Sequence, residues 1–285
     1  MASHIERRQP RSQYASVCGY EMHYVEWGAP TARPVVMWHG LARTGRDFDE
    51  IASALADRWR VICPDTVGRG LSQWSAAPDA DYCLAFYAEL ARGLADVLGL
   101  AEFDWVGTSM GGALGIRAAA TTLKDRLGRI VINDIGPTFP PAPFERIKTY
   151  IGNPPDFATV AELEAYFQTI YTPFGPHSAA QWRHMAETSL RRLPSGRITT
   201  HYDPLIVRQM FAHPVDYEQW EYWDAMRQPT LVLRGAQSDL LLADTAREMT
   251  VRGPKATIVE IADVGHAPAL NTDHQIATVR SFLEG

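Results

Sequence analysis

The stretch with the most chemical content is Gly107-Thr108-Ser109-Met110-Gly111-Gly112. The apolar run Phe103 to Val106 precedes it and a helical stretch beginning near Ala113 follows, so G-x-S-x-G lies on a strand-to-helix turn. A serine there stands on a tight, strained backbone with Oγ lifted above the sheet end. The glycines two before and two after it leave room for neighbouring strands and helix. With 21 glycines and 12 serines among 285 positions, random placement gives about 0.06 such matches per chain. The pattern is therefore not an accident of composition. The helix start after Ser109 also favours developing negative charge. Phosphate binding is disfavoured there, because neither G-x-x-x-x-G-K-[ST] nor G-x-G-x-x-G occurs.

A serine hydroxyl is a poor nucleophile until a base takes its proton, and the base needs a third group to hold it. Among nine histidines, His266 is the candidate base. Val264-Gly265-His266 lies just past the last strand-like run, on the loop before the terminal helix, where strand ends converge on the serine turn. For the orienting carboxylate, Leu231 to Gly235 reads as a strand leading to Gln237-Ser238-Asp239, and Asp239 is the expected acid. Asp134, directly after the Ile130 to Ile132 run, is its rival. An oxyanion needs two backbone N–H donors, one just after the nucleophile and one from an earlier strand-end loop. Met110 supplies the first, and Leu41, in Trp38-His39-Gly40-Leu41, the second. His39 is read as a loop-stabilising hydrogen bonder. Arg43 has the reach for a substrate carboxylate, although internal pairing or solvation is the expected state. The turn-rich loop Asp65 to Ser72 is read as structural, with Arg69 unassigned.

These residues need a scaffold that brings several strand ends together. Runs at Tyr20 to Trp27, Pro34 to Trp38, Arg60 to Cys63, Phe103 to Val106, Ile130 to Ile132, Thr230 to Leu233 and Thr257 to Ile261 read as strands, most of them continuously apolar. Between them the period changes to that of helices: Phe48, Ile51, Leu55 and Trp59 share a face, as do Tyr87, Ala91, Leu94 and Leu98, with Gly99 as a stop. Ile276, Val279 and Leu283 repeat the pattern after the capping candidates Asn271, Thr272 and Asp273. Alternation of this kind predicts an α/β fold with a mostly parallel, doubly wound sheet. From Pro137 to Pro229 no convincing strand is legible, yet these 93 residues hold 12 of 19 prolines and 15 of 29 aromatics. Helical stretches at Val160 to Ile170 and Ala179 to Arg192 lie within it. The organisation expected is a core of residues 1–136 and 230–285 with a helical cap, 137–229, inserted between two strands. Its aromatics, such as Phe144, Tyr166, Phe167 or Trp182, are candidates to line an apolar pocket above Ser109.

Twenty-seven basic against 33 acidic side chains give a formal charge of -6, without the basic excess that a nucleic-acid groove or an anionic membrane requires. The first nineteen residues carry Arg7, Arg8 and Arg11 but no apolar signal region, and no stretch is long enough to span a membrane. The expectation is a cytoplasmic protein with a small-molecule substrate, no cofactor and no metal; its oligomeric state is left open. Cys18, Cys63 and Cys83 fit neither a disulfide framework nor a zinc site.

Taken together, His39-Gly40, the D-x-x-G-x-G-x-S loop Asp65 to Ser72, the turn Gly107 to Gly112, Ser238-Asp239 and Gly265-His266 resemble the α/β-hydrolase superfamily, in its capped branch. The chain order Ser, Asp, His is also that of the α/β-hydrolases and of neither major serine protease class. The resemblance implies a cofactor-independent serine hydrolase with Ser109, His266 and Asp239 as triad and Leu41 and Met110 as oxyanion donors, acting on a small or medium-sized, largely apolar ester. The same set serves lactonases and carbon–carbon bond hydrolases of aromatic degradation, the alternative enzyme classes, and a ligand-binding protein on the hydrolase scaffold is the non-enzymatic one. Serine at 109, where dehalogenases and epoxide hydrolases carry aspartate, argues against those two.

Overall fold

The structure is a computed structural model that describes residues 9–285; Arg7 and Arg8 of the basic N-terminal stretch lie outside the described residues. The strands are β1 (Arg11–Val17), β2 (Tyr20–Trp27), β3 (Arg33–Trp38), β4 (Trp59–Pro64), β5 (Phe103–Thr108), β6 (Leu127–Asn133), β7 (Asp156–Phe157), β8 (Leu190–Arg192), β9 (Ile198–Thr200), β10 (Thr230–Gly235) and β11 (Thr257–Ile261). Eight of them form one sheet in the order β1-β2-β4-β3-β5-β6-β10-β11. Only β2 runs against the rest.

The central strands are continuous apolar runs because both of their faces are covered. Side chains alternate across the sheet. Val36 and Trp38 face the helices Leu84–Val97 and Met110–Ala120, whereas Val35 and Met37 face Asp49–Leu55 and Asp273–Glu284. On the first face Trp38 and Trp105 are fully buried and stack at 5.4 Å between ring centroids. Thr272 caps the terminal helix, its hydroxyl accepting the Gln275 N–H.

Two departures from the sequence pattern have physical causes. β1 is polar and largely exposed because it is an edge strand, held by seven residue pairs to β2 from Arg11↔Glu26 to Val17↔Tyr20. β11 is the opposite edge, so of its five residues only Ile261 is buried, although its composition reads as an interior strand.

Residues 137–229, between β6 and β10, contain the helices Pro141–Tyr150, Val160–Ile170 and Ala179–Thr188 and two short C-terminal helices, Arg208–Ala212 and Trp220–Ala225. The expectation that this segment lacks strands is corrected: β7, β9 and β8 form a small antiparallel sheet, in strands of two or three residues that are too short to show alternation. The helical reading to Arg192 likewise overruns, since the helix stops at Thr188 and β8 follows. The aromatic excess divides between two sites. Leu163, Phe167, Ala186 and Ile198 make a separate core, whereas Ile206, Tyr217, Trp223 and Met226 join the main core beside the sheet.

Candidate active site

Between β5 and the helix Met110–Ala120 the chain turns on a single residue, Ser109, at φ 52° and ψ −114°. A side chain other than glycine at 107 would place Cβ 2.1 Å from the Gly111 carbonyl oxygen, and one at 111 would place it 1.9 Å from that of Trp38. The two glycines are therefore required by the closeness of strand, turn and helix. The Ser109 N–H donates to the Asn133 carbonyl at 2.8 Å, which ties the turn to the end of β6.

His266 Nε2 lies 2.8 Å from Ser109 Oγ, and Nδ1 lies 2.8 Å from Asp134 Oδ2. A carboxylate at Nδ1 selects the tautomer with its proton there and leaves Nε2 to accept from the serine hydroxyl. Asp134 is wholly buried. Its Oδ1 accepts the Gly235 N–H at 2.8 Å and its Oδ2 the Ser238 hydroxyl at 2.6 Å.

The expectation that Asp239 orients His266 is thereby corrected. The Asp134 N–H bonds the Leu233 carbonyl at 2.9 Å, and the residue's left-handed backbone, φ 58°, turns the carboxylate across the end of β10. The place beside it is filled by Ser238, whose hydroxyl also accepts the N–H groups of Leu240 and Leu241. Asp239, one residue on, turns away from His266 to the cavity mouth and pairs with Arg146 at 2.7 Å, both side chains being half exposed.

Among the described residues the N–H groups of Leu41 and Met110 donate to no turn, loop or cap carbonyl. His39 holds the Leu41 loop: Nδ1 donates to the Gly40 carbonyl at 2.7 Å and Nε2 accepts the Thr66 N–H at 3.0 Å. Burial lowers the pKa of this imidazole to about 4, so it is neutral at ordinary pH. A cavity of about 760 Å³ opens over Ser109 and His266, walled by Tyr150, Tyr166, Ile170, Tyr171 and Phe174 from the inserted segment. Of the aromatics expected there, Tyr166 lines it, but Phe167 is buried in the insertion's own core, Phe144 packs edge-on against Phe139 and Trp182 stacks on His177.

A model of the alpha/beta hydrolase family matches residues 35–279. The chain belongs to this family. Over 276 residues, 93% of this chain and 94% of the relative, it is 40% identical to the 3-hydroxybutyrate-oligomer hydrolase of Cupriavidus necator. It is 27% identical to the N-formylmaleamate deformylase of Pseudomonas putida, with 94% and 95% of the two chains covered. Among solved structures, an alpha/beta hydrolase from Novosphingobium aromaticivorans superposes with a TM-score of 0.85 at 33% identity, over 97% of this chain and 99% of that one. The protein is a hydrolase enzyme.

Two further features of this alpha/beta hydrolase bear on its chemistry. Arg43 is 5% exposed and forks onto Asp47 through Nε and Nη2 at 2.8 and 2.6 Å, while the rings of Phe167 and Tyr171 flank its guanidinium. Burial opposes its charge, but Asp47 outweighs it and holds the group protonated. This is the internal pairing expected for Arg43. On the far edge of the sheet the hydrolase holds a second relay: His23 Nδ1 lies 2.8 Å from Asp65 Oδ2, and Nε2 lies 2.8 Å from Ser12 Oγ. Sequence reading missed it because it links β1, β2 and the loop after β4 with no local motif. Among the described residues, no helix is long and apolar enough to cross a membrane.

Proposed function

We propose that the chain is a serine esterase in which Ser109, His266 and Asp134 form the triad and the Leu41 and Met110 N–H groups bind the oxyanion. The observation that carries this reading is the unbroken chain of 2.8 Å contacts from Ser109 through His266 to Asp134, opening into the large cavity. Ser109 Oγ attacks the ester carbonyl as its proton passes to His266 Nε2. The two N–H groups take the charge on the carbonyl oxygen, and Asp134 stabilises the imidazolium. Collapse breaks the bond to the alcohol oxygen, which leaves with the proton from His266. Water then repeats the sequence on the acyl-serine, freeing the acid and restoring the hydroxyl.

The substrate is a small or medium-sized ester, consistent with the mostly apolar walls and with a relative named for a 3-hydroxybutyrate oligomer. The inserted segment serves as the lid. With 4-nitrophenyl esters of graded chain length, Asp134→Asn lowers kcat by roughly 10⁴, the scale seen when a triad acid becomes an amide. Asp239→Asn changes kcat by less than about threefold, as expected of an exposed ion pair. The opposite ranking in folded variants returns the acid to Asp239, and absence of turnover by the unmodified chain on every ester refutes the esterase reading.

A further inference from the structure

Arg69 lies in the turn-rich loop after β4 and is completely buried. Its Nε donates to the Leu41 carbonyl at 2.9 Å, and its Nη2 lies 3.6 Å from Met110 Sδ. One side chain thus touches both Leu41, which lines the cavity, and Met110, the residue after Ser109. The remaining edge is fixed by the Val67 carbonyl at 3.0 Å and the Tyr87 hydroxyl at 2.7 Å, with the rings of Tyr82 and Tyr87 against the guanidinium.

Every hydrogen-bond acceptor here is neutral. Among the described residues no carboxylate lies within ion-pair distance of Arg69, whereas buried Arg43 and half-buried Arg117 each have an aspartate. Burying an unpaired cation is costly, and a packing role does not require one. The charge reaches the oxyanion loop, where burial is the main cause of the lowered His39 pKa and Arg69 adds to it against the opposing charges of Asp65 and Asp47.

We propose that Arg69 is a positioning residue of the oxyanion hole: it sets the Leu41 and Met110 backbone from beneath and brings a positive charge toward the tetrahedral intermediate. This rests on the esterase reading above. Its Leu41 contact acts on the same tight turn, closed by Arg43 N–H to the Gly40 carbonyl at 3.2 Å, that aims the Leu41 N–H. Preorganised charge in a site shielded from water acts on the transition state more than on a neutral ground state.

The test compares Arg69→Met, Arg69→Lys and the unmodified chain. Removal of a direct oxyanion donor costs about 10² to 10³ in kcat, so a group one contact behind it should cost about 10 to 100-fold. KM should stay within about twofold. Arg69→Lys, which keeps the charge and loses the fork, should recover roughly tenfold over Arg69→Met. Affinity for an alkyl trifluoromethyl ketone, which forms a tetrahedral adduct on the serine, should fall in parallel with kcat. Binding of the matching neutral amide, a ground-state mimic, should not. If Arg69→Met does not fold, the lysine variant carries the same comparison on its own. Equal weakening of ketone and amide, or unchanged kcat in a folded variant, overturns the proposal. If the unmodified chain turns over no ester, the esterase reading falls first and this one with it.

Discussion

Ser109 and Ser12 each lie 2.8 Å from a histidine that is 2.8 Å from a buried aspartate, yet their surroundings differ. Ser109 sits in a strained turn at the head of a helix, whereas Ser12 lies within a regular edge strand. A hydrogen-bonded base raises reactivity only where the developing oxyanion is also held. An alkyl fluorophosphonate should therefore label Ser109 alone, as read by peptide mass mapping, and Ser109→Ala should abolish labelling. A label on Ser12 would mean that the relay suffices without the turn. The carboxylate partner of His266 was the residue least legible beforehand. Both aspartates follow strands, and only the positive φ of Asp134, which no sequence motif announces, directs one carboxylate to His266 and leaves Ser238 to brace it.

The strand-turn-helix unit was the most legible element, because its glycines answer to contacts rather than to propensity. Gly111→Ala should cost at least about 2 kcal/mol by overpacking against the Trp38 carbonyl. Gly99→Ala meets nothing within 4 Å and should cost only about 1 kcal/mol, for placing an L side chain at positive φ. Chemical denaturation measures both, and equal losses would show that conformation rather than contact governs the turn. The strands within residues 137–229 and the division of that segment between two packing regions were not legible, since burial is set by partners far away in the chain. Alanine at Tyr166 or Ile170, which wall the cavity, should shift kcat/KM between short and long esters by roughly 10-fold, the worth of one or two methylenes in a pocket. Alanine at Trp223, fully buried beside the sheet, should lower stability by about 3 to 5 kcal/mol. A Trp223 variant that alters chain-length preference without loss of stability would reverse that division.

At the scale of the whole molecule, a buried neutral histidine couples folding to pH. His39 has its pKa lowered from 6.5 to about 4 by burial, and burial also lowers those of His177 and His201. Between these two values an unfolded His39 binds a proton that the folded one refuses. Its contribution is therefore present in full above pH 6.5 and is lost as pH falls toward 4, by roughly 3 kcal/mol for the whole shift. His39→Asn should flatten the decline of Tm between pH 6.5 and 4.5, because an amide does not titrate there; an unchanged slope in scanning calorimetry would assign the decline to other groups. The sheet topology carries a different consequence. With Asp134 at the end of β6 and Ser109 at the end of neighbouring β5, the segment after β10 contributes to the proposed relay only the Ser238 brace. Its exposed Asp239, with Arg146 opposite, is thus free to change. In a lineage under selection for new esters, the charge at the cavity mouth can be reversed or erased in single steps while the machinery behind it is inherited intact.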